Sequence, residues 1–142
     1  MSTGIVVGII LGIMVLLVVA TIVTSVRRRN MARQMLAADP YLPLVFTSLG
    51  QNLQTVVQQS VGVGAQVQIS SVDGKAAPTM LTPDGQFTPV TPGPHQLKLV
   101  AFQKLLGRTR TFSGEIGINL ARGQRIFVEV DTQTGQWLIR PL

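Results

Sequence analysis

From Ile5 to Val26 the chain reads IVVGIILGIMVLLVVATIVTSV, 22 residues without a charge. About 20 consecutive apolar residues cross a hydrocarbon core as a helix, so this run predicts a transmembrane span. Arg27 to Ala38, RRRNMARQMLAA, consists of good helix formers and continues the helix past the lipid surface. Asp39-Pro40 and then Leu42-Pro43 interrupt it, because proline disfavours helix at the preceding residue and supplies no N–H. Beyond them Leu42, Phe46, Leu49, Leu53, Val56, Val57 and Val61 recur at three- and four-residue spacing. That spacing predicts a second, amphipathic helix from about Leu44 to Ser60, with Gln51, Gln54, Gln58 and Gln59 on its polar side. It carries no charge, whereas a membrane-surface helix has lysine or arginine on its polar face. It is therefore expected to pack on the following domain or on a partner.

After Gly62-Val63-Gly64 the period shortens to two, and β-structure is predicted for the rest of the chain. Gln66 to Ser70 alternates and ends at Asp73-Gly74-Lys75, a turn sequence. Pro83-Asp84-Gly85 and Thr91-Pro92-Gly93-Pro94 bracket a short strand from about Gln86 to Val90. Longer strands are predicted from about His95 to Lys104 and from Arg110 to Ile118, with Phe112, Ile116 and Ile118 sharing a face. Two more follow, Gln124 to Asp131 and Gly135 to Arg140. Six or seven short strands at this spacing predict a small all-β antiparallel sandwich or barrel. The expected plan is a short tail over 1–4, a transmembrane helix over 5–26, a juxtamembrane helical linker over 27–64 and a β-sandwich over 65–142.

Charge adds a direction. Nothing basic precedes the apolar run, and Arg27, Arg28, Arg29 and Arg33 follow it. A cleaved leader has the opposite order and a small-residue cleavage site, so the pattern is that of an uncleaved anchor. Cations flanking a span favour the cytoplasm, which predicts an outer N-terminus and a cytoplasmic C-terminal domain at the cell membrane, with the four arginines near lipid headgroups. Gly4, Gly8 and Gly12 recur every four residues and form one stripe where a second helix could approach closely, either a second copy or another protein.

The run from Val67 to about Asp131 resembles the PEGA-type domain, a small β-sandwich module. Carrying the resemblance are Val67-Gln68-Ile69 leading to Asp73-Gly74-Lys75, Thr91-Pro92-Gly93-Pro94-His95 entering an alternating strand, and the later strand with Ile126, Val128 and Val130. The segment from Ala76 to Val90 departs from the family's middle portion. The resemblance implies a non-catalytic structural or binding module, of a kind usually found outside the cytoplasm, and it brings no catalytic residues.

Candidate chemistry is sparse. The chain has no cysteine, which removes disulfides and thiolate metal sites, and one histidine, His95. A base needs a nucleophile and an orienting group, and a metal needs further ligands; neither set accompanies His95 locally, so its expected role is structural. There is no phosphate loop, dinucleotide fingerprint or nucleophile elbow, and no cofactor or metal is expected. Net charge is +6, of which +3 belongs to residues 66–142. Lys98, Lys104, Arg108 and Arg110 form a candidate basic surface with Arg122 and Arg125 further on. Anionic headgroups would attract it, at about 1 kcal/mol per cation. Nucleic acid is the weaker alternative, since only Phe102 and Phe112 offer stacking faces, and +3 also suits an ordinary solvated face. The expected function is a non-enzymatic single-pass accessory or scaffold subunit of a membrane assembly, its β-domain docking a partner. An extracytoplasmic envelope or ligand-binding module is the alternative, and a small enzyme using His95 is the third reading.

Overall fold

The computed structural model describes residues 2–49 and 65–142. The apolar run and its basic extension form one unbroken helix, α1, Thr3–Ala38, about 54 Å long at 1.5 Å per residue. It starts two residues before the expected Ile5, and its apolar part is long enough to cross a bilayer. It stops at Asp39, where Pro40 denies the next turn its N–H.

The rest is β-structure in two sheets. The strands are β1 (Leu44–Leu49), β2 (Gln66–Val72), β3 (Lys75–Ala76), β4 (Met80–Thr82), β5 (Gly85–Pro89), β6 (Gly93–Leu105), β7 (Arg108–Leu120), β8 (Arg125–Val130) and β9 (Trp137–Pro141). One sheet has the order β4-β5-β1-β8-β9, the other β3-β2-β6-β7. Every pairing is antiparallel except β1 with β8. A long apolar N-terminal helix followed by a small β-sandwich, as expected, is the observed architecture.

One expectation fails. Instead of starting an amphipathic helix, Leu44 begins β1, the central strand of the five-stranded sheet. Residues 50–60 of that expected helix, and Gly62 to Gly64, lie outside the described residues. The misreading has a physical cause. Strand β1 is covered on both faces, so its sequence, LVFTSL, lacks polar alternation. Val45 points between the sheets with Leu97, Leu99, Ile118, Ile126 and Val128. Leu44 and Phe46 point the other way, and with Phe87 they meet Leu36 of α1. The helix end is thus a layer on the sandwich. The chain from Ala32 to β1 packs with the sandwich, so the boundary expected at 65 falls inside the folded unit. The short strands β3 and β4 were also unexpected; two or three residues are too few to show a period.

The joint between helix and sandwich is fixed at several points. Arg122 Nη2 donates to Asp39 Oδ1 at 2.9 Å, and its guanidinium stacks 5.4 Å from the centre of the Tyr41 ring. Gly123 N–H donates to the Tyr41 carbonyl at 2.7 Å and Leu44 N–H to that of Gln124 at 3.1 Å. These contacts define a distal end of the molecule, at the end of α1 away from the apolar run. From there α1 lies along the outer face of the first sheet, with Ala32 0% exposed against it.

Candidate functional site

His95 is positioned by two turns. At the first, Asp73 and Gly74 both take left-handed conformations, φ 52° and 79°, the combination a tight hairpin turn requires. Asp73 closes onto the start of β6: its N–H donates to the Gln96 carbonyl and its Oδ1 accepts from Gln96 N–H, each at 2.8 Å. The second turn, at Thr91, sets a carbonyl over the imidazole. His95 Nδ1 lies 2.5 Å from Asp73 Oδ2, and Nε2 lies 2.7 Å from the Thr91 carbonyl and 3.1 Å from its Oγ1. The ring is 12% exposed.

Both ring nitrogens therefore face strong acceptors, and the imidazolium satisfies both as a donor. Burial opposes that charge, but the hydrogen bonds to Asp73 and Thr91 and the Asp73 charge outweigh it, so the His95 pKa is raised. Asp73 is lowered, first by the Gln96 N–H and then by His95. What the arrangement does chemically is join the Asp73 and Thr91 turns, 18 positions apart, through one ring. A shallow open depression beside it is lined by Gln96, Gly117 and Asn119. Among the described residues, no three of His, Asp and Glu gather as a metal-ligand set.

The candidate basic surface divides. Lys98 sits opposite Glu115 in the β6–β7 ladder, 3.9 Å from its carboxylate. Lys104, Arg108 and Arg110 lie instead at the far end of that ladder, around the turn at Leu106-Gly107. Alternation puts Lys104 on the outer face of the sheet and Arg108 and Arg110 on the face toward the other sheet. Arg110 donates to the Thr132 carbonyl at 3.1 Å and stacks 4.8 Å from the centre of Phe112.

Of the arginines after the apolar run, Arg27, Arg29 and Arg33 are exposed and Arg28 is partly covered, with its Nε buried and unbonded. Gly4, Gly8 and Gly12 have open space where a Cβ would stand. Sequence reasoning missed the Asp39–Arg122 joint, whose members are 83 positions apart, and the seating of Trp137 on Gly114. It also left out the apolar tip of the β6–β7 hairpin, Leu105 and Leu106, although the sequence Leu105-Leu106-Gly107 between two alternating strands was a visible signal. Compared with family models, curated proteins and solved structures, the chain matches none.

Proposed function

We propose that the protein is a non-catalytic, single-pass membrane protein whose helix holds a rigid β-sandwich against the membrane surface as an accessory or scaffold subunit. The observation that carries this reading is the continuity of α1. The same helix that presents the apolar run ends as a packed layer on the sandwich, with Ala32 and Leu36 in the contact. A flexible tether would let the domain wander; this one fixes its height and rotation relative to the span. Arg27, Arg28, Arg29 and Arg33 lie where the apolar run ends, which supports headgroup contact and a cytoplasmic domain. Gly4, Gly8 and Gly12, uncovered by this chain, are the face for a neighbouring helix or a second copy.

A structural role for His95 belongs to this reading, because both of its ring nitrogens are engaged in joining turns. Those turns are the two short motifs behind the PEGA-type resemblance, which implies a binding or structural module. The cysteine-free chain makes the test direct. Ser2→Cys and Gln136→Cys are labelled in intact cells with a membrane-impermeant maleimide. Position 2 is expected to react and position 136 to be protected until lysis. Reaction of position 136 from outside would overturn the cytoplasmic assignment in favour of the extracytoplasmic module. Gly8→Ile is expected to abolish recovery of the neighbouring helix in mild detergent, and undiminished recovery would refute the glycine contact.

A further inference from the structure

The geometry points to a second membrane contact: the tip of the β6–β7 hairpin inserts Leu105 and Leu106 into the interface of the bilayer that α1 crosses, with Lys104 and Arg108 on its anionic headgroups. This deepens the proposed function and rests on its reading of α1 as an anchor. It does not depend on which side of the membrane the sandwich occupies.

The direction of the hairpin is fixed by its partners. Strand β7 ends at Leu120, and the short turn through Arg122 and Gly123 is tied to Asp39 and Tyr41 at the distal joint. Moving back along β7, Gly114 lies under Trp137 at the start of β9, and Arg110 reaches Thr132 in the β8–β9 turn. That turn is the end of the five-stranded sheet opposite the joint. The hairpin therefore runs toward the span and passes the edge of the other sheet by its last few residues. Heights can be compared from the shared joint. Between Asp39 and Val26, α1 rises about 20 Å. From Leu120 to Arg108, β7 extends about 40 Å, or nearly 30 Å along the helix axis even if inclined by about 45°. The tip thus passes the level at which the apolar run begins, by about 10 Å at that inclination.

What it presents there is suited to a lipid interface. Leu106 is fully exposed, Leu105 and Phe102 are each 40% exposed, and a two-residue turn holds the leucines at the extremity. Cations flank them on both faces of the ribbon, Lys104 on one and Arg108 on the other, where they would meet lipid phosphates. Among the described residues the acids paired with the hairpin, Glu115 with Lys98 and Asp73 with His95 and Gln96, sit well below the tip. An apolar extremity with a cationic collar matches an anionic bilayer surface, whereas water would solvate the collar and leave the leucines exposed.

The test uses the full chain in phosphatidylcholine vesicles with and without phosphatidylglycerol, carrying one environment-sensitive fluorophore on Leu106→Cys, Leu16→Cys or Asn119→Cys. Lipids with shallow or deep nitroxide quenchers report depth. Leu16 is expected to be quenched by the deep probe, Leu106 by the shallow probe and more strongly with phosphatidylglycerol, and Asn119 by neither. Lys104→Glu with Arg108→Glu is expected to shift tip engagement at least about fivefold toward water. If Leu16 is quenched while Leu106 behaves like Asn119, tip insertion is wrong and the anchor stands. If Leu16 is not quenched, the anchor itself is wrong and the tip proposal falls with it. Equal Leu106 quenching in both lipid mixtures overturns the headgroup role of the cations.

Discussion

His95 has its two bonds because Asp73 can adopt φ 52° in front of Gly74, which aims the carboxylate back at the start of β6. The linkage signs follow from the two pKa directions. A histidine raised above 6.5 contributes stability that is fully present below 6.5 and is lost as pH rises through its folded value. A carboxylate lowered below 3.8 contributes stability present above 3.8 and lost as pH falls through its folded value. The lock is therefore strongest between those limits. Thermal melts of the full chain in detergent should show His95→Ala destabilised most in that window, by about 1 kcal/mol after solvent screening. The difference from the parent should shrink in alkaline and strongly acidic buffer; a deficit independent of pH would mean that the ring acts by packing alone. Gly114 is decided by sterics rather than charge. A Cβ there would clash with Trp137 Nε1, and the partly buried indole packs against the core. Gly114→Ala should cost about 1–3 kcal/mol and change the emission of the lone tryptophan, and a variant matching the parent in both would show that the ring relocates freely.

At the scale of elements, legibility in the sequence followed exposure. Strands β6, β7 and β8 were readable because each buries one face and solvates the other, so Leu97, Leu99 and Ala101 alternate with Gln96, Lys98 and Phe102. Strand β1 was not, because α1 covers the face that would otherwise have been polar, and Leu42, Phe46 and Leu49 happen to match a helical period. The same cause hid the docking of α1, whose buried positions Ala32 and Leu36 look ordinary in a helix of good formers. At the candidate site, the Asp73 and Thr91 turns were each legible locally, but that one ring joins them is long-range information carried by the β2–β6 pairing. Docking makes its own prediction. A carboxylate at position 32 would be buried without a partner, so Ala32→Asp should lift the helix end off the sheet. Hydrogen exchange should then accelerate in β4 and β5, which α1 covers, and stay slow in β2 and β6. Unchanged exchange in β4 and β5 would mean that the helix contact contributes nothing to them.

For the whole molecule, the consequence of an unbroken α1 is that apolar run and sandwich share one rotational phase. Each residue of a helix advances it by about 100° and 1.5 Å, so a sequence inserted between Val26 and Arg27 turns the sandwich relative to the glycine stripe without altering either. Two inserted alanines rotate the domain by about 200°, whereas four rotate it by about 40° and raise it by about 6 Å. If an assembly contacts both Gly4, Gly8 and Gly12 and the sandwich, the two-alanine chain should lose recovery of its neighbours in mild detergent. The four-alanine chain should keep much of it, despite the larger change in length. A linker that merely tethered the domain would give the opposite order or no difference, because reach would matter and phase would not. The comparison also separates the two proposed membrane contacts. Tip engagement by Leu105 and Leu106 depends on height and should weaken steadily with insert length, while lateral recovery should follow the helical period.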